Sequence, residues 1–214
     1  MKTFYLIATA LSWIFSSLAQ AASVSDLLIT EIMANPSAVS DTQGEWFELF
    51  NPTAESIDLN GMVLSDDNSL GHVIASSTGV LINPGSYFVM ARNDDSILNG
   101  GFAADYTYSR FSLGNTSDQI IISHSSGDFL RFDYGSGFVP NGGSMELIDA
   151  VMLPENYAAT TTVFGAGDFG TPGTAGSFIQ PSANAPAPVP IPAAIWLMGS
   201  GLLGLTGFSR RHKA

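Results

Sequence analysis

The run Glu-Trp-Phe-Glu-Leu-Phe-Asn-Pro at residues 45–52 constrains the fold more than any other stretch of the chain. Aromatic and aliphatic groups crowd it and a single turn signal, Asn51-Pro52, ends it, a composition that favours a strand over a helix. On a pleated strand Phe47 and Leu49 point to one face while Trp46 and Phe50 point to the other, so large apolar groups stand on both sides. Such a strand is predicted to lie inside a sheet and to be covered twice.

The remaining predicted strands are short. Residues 27–34 (Leu-Leu-Ile-Thr-Glu-Ile-Met-Ala) give the first, and 57–59, 62–65, 72–75, 87–92, 119–123, 129–134 and 144–148 follow. Asn-Pro ends apolar runs at 35–36, 51–52 and 83–84. Asn bonds back to its own backbone while Pro presets the turn angle and withdraws a ladder donor, so each pair stops a strand and turns the chain. No window of the body keeps a helical apolar period, and the expected class is all-β, an antiparallel β-sandwich with residues 94–109 as a surface loop.

Both ends of the chain read as membrane signals. Lys2, an apolar run over residues 4–15 and the small residues Ala19 and Ala21 make residues 1–21 a secretory signal peptide, cut by signal peptidase after Ala21. Residues 177–188 form a Pro/Ala-rich linker, extended and solvated. It leads to a sorting segment at 189–214, opened by Val189-Pro190-Ile191-Pro192-Ala193. An uncharged run of seventeen residues, 193–209, follows as a predicted transmembrane helix, at the lower edge of the roughly 17–25 needed to cross a bilayer. Arg210, Arg211 and Lys213 are its basic stop and are expected to stay cytoplasmic.

Between these ends the body has Arg92, Arg110 and Arg131 as its only cations against nineteen carboxylates, a formal charge of −16. Such a surface repels phosphate backbones, which argues against nucleic acid as a partner. The chain has no cysteine. Disulfide staples, thiol catalysis and thiolate metal sites are thereby excluded, and burial of apolar surface must carry the fold.

Three segments, Ile29-Thr30-Glu31-Ile32-Met33-Ala34-Asn35-Pro36, the run from Gly44 to Pro52, and the run from Ile57 to Asp66, resemble the lamin tail domain. Ile82-Asn83-Pro84-Gly85, Leu113-Gly114-Asn115, Ser117-Asp118-Gln119-Ile120 and Gly170-Thr171-Pro172-Gly173 fit the same pattern. The resemblance covers residues 26–176 and implies an immunoglobulin-like β-sandwich, used in exported bacterial proteins as an accessory module. The end of the chain resembles the Val-Pro-Leu-Pro-Ala (VPLPA) variant of the PEP-CTERM sorting signal of Gram-negative bacteria, with Ile191 in the position usually held by Leu. That resemblance implies processing near the proline motif by an exosortase-type membrane protease and delivery to the cell surface or outside the cell.

The sequence presents no catalytic motif. His72 and His124, the only histidines of the body, lie in neither His-Glu-x-x-His nor Gly-x-Ser-x-Gly context. Glu45 and Glu48 are three apart and face opposite ways on a strand, whereas Glu31 can join Glu48 across neighbouring strands, with salt bridging or edge solvation as the plain explanation of both. No catalytic, cofactor-binding or metal residue is assigned. Calcium is the one candidate ion, through the oxygen-rich Asp66-Asp67-Asn68 and Asn93-Asp94-Asp95, neither of which fits the EF-hand pattern. The expected protein is a non-catalytic, exported, membrane-tethered binding or structural module of the envelope, its ligand a polysaccharide or a protein. The alternative is a calcium-dependent adhesin or an accessory domain of an extracellular hydrolase system.

Overall fold

The computed structural model describes residues 22–67 and 71–176. The signal positions Ala19 and Ala21, the linker, the Val189–Ala193 motif, the 193–209 span and the basic stop lie outside them. Among the described residues no helix is long and apolar enough to cross a membrane.

The strands, in chain order, are β1 (Leu28–Met33), β2 (Trp46–Phe50), β3 (Ile57–Asp58), β4 (Val63–Ser65), β5 (His72–Val73), β6 (Leu81–Ile82), β7 (Tyr87–Ala91), β8 (Tyr106–Thr107), β9 (Asp118–Ser123), β10 (Phe129–Tyr134), β11 (Met145–Leu147), β12 (Tyr157–Ala159), β13 (Val163–Phe164) and β14 (Asp168–Phe169). They form a six-stranded sheet, β12-β11-β1-β2-β7-β8, and a four-stranded sheet, β10-β9-β4-β5, with β13-β14 and β3-β6 as small separate pairs. The two large sheets enclose one core in which Ile32, Phe47, Leu49 and Met90 from the first meet Leu64, Ile120, Ile122 and Phe132 from the second.

Strand β2 behaves as its composition dictates. Every residue from Trp46 to Phe50 is buried, and the strand lies between β1 and β7. Phe47 and Leu49 enter the main core. Trp46 instead joins Met33, Val89, Ala91 and Phe102 in a second cluster on the outer face of the six-stranded sheet. Two faces of large apolar groups require two covers, and the second cover is supplied by segments between β7 and β8 and after β12.

Three expectations are corrected. Residues 94–109 are not a plain surface loop, because Phe102 and Tyr108 are buried and β8 adds the edge of the six-stranded sheet. Asn99 organises the segment from inside, donating to the Asn93 and Phe102 carbonyls at 3.1 Å each and accepting from the Gly101 amide. Strand β8 also pairs parallel to β7, so the sandwich is not wholly antiparallel. Strands β6, β12, β13 and β14 are absent from the predicted set; each is two or three residues long and exposes an apolar residue (Leu81, Ala158, Val163 and Phe169), so no apolar-in, polar-out alternation marks it.

The Asn-Pro stop after β2 is built as anticipated. Asn51 is fully buried; its Nδ2 donates to the Glu55 and Ile82 carbonyls at 2.8 Å each, and its Oδ1 accepts from the Thr53 amide and hydroxyl. One side chain therefore closes its own turn and pins the β3-β6 pair. Asn51→Ala leaves two carbonyls without donors and is expected to cost about 2–4 kcal/mol in urea unfolding. Asn51→Asp keeps the acceptor but removes both donors, and is expected to recover little of that loss.

Candidate functional site

A β-bulge creates the most unusual feature of the molecule. The β1-β2 register runs Ile29 opposite Leu49 and then Glu31 opposite Glu48, leaving Thr30 as an extra residue. Without it Glu31 would share the parity of Ile29 and point into the main core. With it Glu31 turns outward beside Glu48, and Glu146 of β11 pairs on its other side. Three carboxyl groups thus stand in a row across three adjacent strands.

All three are buried, and Glu31 and Glu48 keep only 1% of their surface. The cover is the Gly-Thr-Pro-Gly segment, a strap laid over the outer face. The Thr171 amide donates to Glu31 Oε1 at 2.8 Å and the Thr171 hydroxyl to Oε2 at 2.7 Å. The Gly173 amide donates to Glu48 Oε2 at 2.7 Å, while the bulge residue Thr30 donates its hydroxyl to Oε1 at 2.6 Å. Ser144 adds a hydroxyl bond to Glu31. Gly170 leaves little room for a side chain: a Cβ there would stand 2.9 Å from the Phe164 ring and 3.1 Å from both Glu31 Oε1 and the Trp46 ring. Gly176 lies against Glu146 so closely that a Cβ would overlap its carboxylate.

The donors are hydroxyls and amides, not cations, so burial dominates the electrostatics. It raises Glu48 to about 8, with Glu31 and Glu146 adding repulsion against the Thr30 and Gly173 bonds. Glu31 is raised for the same reason, opposed by Ser144 and Thr171. Salt bridging and edge solvation, the sequence explanations for Glu31 and Glu48, are therefore both set aside: β1 and β2 are interior strands.

Glu45 faces the other way, as its spacing requires. Burial raises it to about 7, against the Leu113 amide at 3.2 Å and the Arg92 guanidinium at 3.4 Å. His72 stands apart from these carboxylates, in the four-stranded sheet. Its Nε2 is 2.9 Å from the Tyr106 hydroxyl and its Nδ1 accepts from the Ser109 amide at 3.2 Å, joining β5 to the β8 edge of the other sheet. Burial and the neighbouring Arg110 lower its pKa. Exposed His124 bonds Ser126 within its own turn. Glu31, Glu48, Asp66 and His72 do not converge in a cleft, since Asp66 directly follows β4 of the four-stranded sheet.

Neither oxygen-rich loop gathers three acidic or histidine side chains around one point among the described residues. Asp67 forms a bidentate pair with Arg131 at 2.8 Å for both bonds, and Asn68 lies outside the described residues. Asn93 bonds Gln43 and caps the Asp95 amide.

The model of the lamin tail domain family matches residues 20–136 of the 214, more than half of the chain. The chain belongs to the lamin tail domain family. No curated protein and no solved structure matches it. The matched part of this lamin tail domain contains both Glu31 and Glu48, whereas Glu146 and the strap that seals the row come after it. The sequence brought Glu31 and Glu48 together by strand neighbourhood. It did not reveal the third carboxylate or the use of the late Gly-Thr-Pro-Gly, because the parity shift between inward Ile29 and Ile32 is hidden in a run that is apolar on both faces, and the strap is more than a hundred residues away.

Proposed function

We propose that this lamin tail domain protein is a non-catalytic binding or structural module that works beyond the cytosol. Residues 1–21 direct export and are removed by signal peptidase. Residues 193–209, with Arg210, Arg211 and Lys213 inside, hold the precursor in the membrane until an exosortase-type protease acts near Val189–Ala193. The module is then delivered to the cell surface or beyond it.

The observation that carries this reading is the fate of the carboxylates. The two acidic groups best placed to share a proton are sealed under the strap, with their oxygens already occupied by backbone and hydroxyl donors. A general acid must reach the proton it transfers, and these reach only the strap.

The test is fractionation of cells expressing the full chain or a form with Arg210, Arg211 and Lys213 changed to Glu. Membrane retention followed by a shorter surface species, lost in the variant, is expected. An identical soluble, unprocessed product from both would overturn the proposal.

A further inference from the structure

Beside the strap, the outer face of the six-stranded sheet carries a cleft of about 360 Å³. Its lining includes Phe102, Phe164 and Pro172, with Thr162, Thr171 and Thr174 among them, and contains no charged side chain. The size falls at the lower end of the roughly 300–1,000 Å³ of small-ligand sites. The walls are preformed. Gly101 and Gly165 meet backbone to backbone, where a Cβ on Gly165 would overlap the Gly100 carbonyl, and the Ala166 amide donates to that carbonyl at 2.8 Å.

The layer beneath holds an unmet donor. The Trp46 indole is fully buried against Phe102 and Phe164, with ring centroids at 5.7 and 6.1 Å, and its Nε1 has no hydrogen-bond partner. Gly170, which also lines the cleft, lies against the ring edge, where a Cβ would stand 3.1 Å from it. Aromatic and proline surfaces beside threonine hydroxyl oxygens in one uncharged concavity suit a ligand with apolar C–H faces and a rim of donor hydroxyls. An ionic ligand would find no counter-charge there. An acidic polymer would also have to approach a body of formal charge −16, which repels it over the screening length.

We propose that this cleft binds one or two rings of a neutral hexose polysaccharide. The inference deepens the binding-module reading given above and rests on it for the ligand's location, although the contact itself does not depend on export. Thr162 is exposed on the rim. A glutamate at that position, larger and strongly hydrated, crowds the mouth of the cleft without entering either apolar cluster.

The experiment is retention of the full chain, purified in detergent, on dextran, cellulose and alginate matrices, with Thr162→Glu and Thr162→Ser alongside. Retention on a neutral matrix is expected, weakened at least tenfold by Thr162→Glu and little changed by Thr162→Ser, with alginate holding none. Thermal unfolding of Thr162→Glu at the parent temperature keeps a lost contact distinct from a lost fold. Equal retention on alginate, indifference to Thr162→Glu, preference for a polyproline peptide, or passage through all three matrices would each overturn the proposal. Failure here leaves the fractionation result standing, and a cytosolic product that still binds dextran would sink the export reading alone.

Discussion

Glu31→Ala is expected to destabilise the protein by about 2–4 kcal/mol, while Glu31→Gln costs under about 1 kcal/mol at pH 8. Alanine strips the acceptor from the Thr171 amide, the Thr171 hydroxyl and Ser144 at once. Each buried donor left unmet costs about 1–3 kcal/mol, reduced here because Thr171 is only partly buried and water reaches it once the strap lifts. Glutamine keeps one acceptor oxygen and no longer needs to carry a charge out of water, which offsets its poorer fit to the Thr171 amide. The difference in urea midpoint between the two variants separates the hydrogen-bonding role of Glu31 from a requirement for its charge. Equal, large losses in both would mean that the negative charge itself is needed.

Raising the pH is expected to weaken the fold, the reverse of ordinary acid denaturation. Glu48 sits near 8 and Glu45 near 7 in the folded state, against about 4.3 for an unfolded glutamate, and Glu31 is raised as well. Between those limits the native state binds more protons than the unfolded chain, so stability is full below about pH 4.3 with respect to these groups and falls as pH climbs through 7 and 8. The total change is on the order of a few kcal/mol, and repulsion within the −16 body acts in the same direction. Melting temperatures between pH 5 and pH 8.5 are expected to decline steadily, and Glu48→Gln to flatten the decline. A midpoint that rises across this range contradicts the assignment of buried, protonated carboxyl groups.

Much of the fold was readable from local chemistry. The double-faced pattern of residues 46–50, the Asn51 turn and the long strands β9 and β10 follow from alternation and turn residues within a few positions of one another. What the sequence concealed was non-local. The bulge at Thr30 shifts parity by one residue inside a run that is apolar on both faces, and the parallel β7-β8 contact closes over a segment whose polar residues read as loop. The strap carries no apolar periodicity either; its meaning appears only when Thr171 is seen 140 positions from Glu31 along the chain. The lamin tail resemblance flagged Gly170-Thr171-Pro172-Gly173 as a motif, and the structure supplies its physical task.

That task is most directly tested by amide hydrogen exchange at Thr171 and Gly173, the two strap amides that donate to Glu31 and Glu48. If the strap completes the sandwich, both amides exchange as slowly as those of β2, and Glu31→Ala frees both at once. Exchange of these two amides at the rate of an open chain in the parent protein, with β2 still protected, would contradict it.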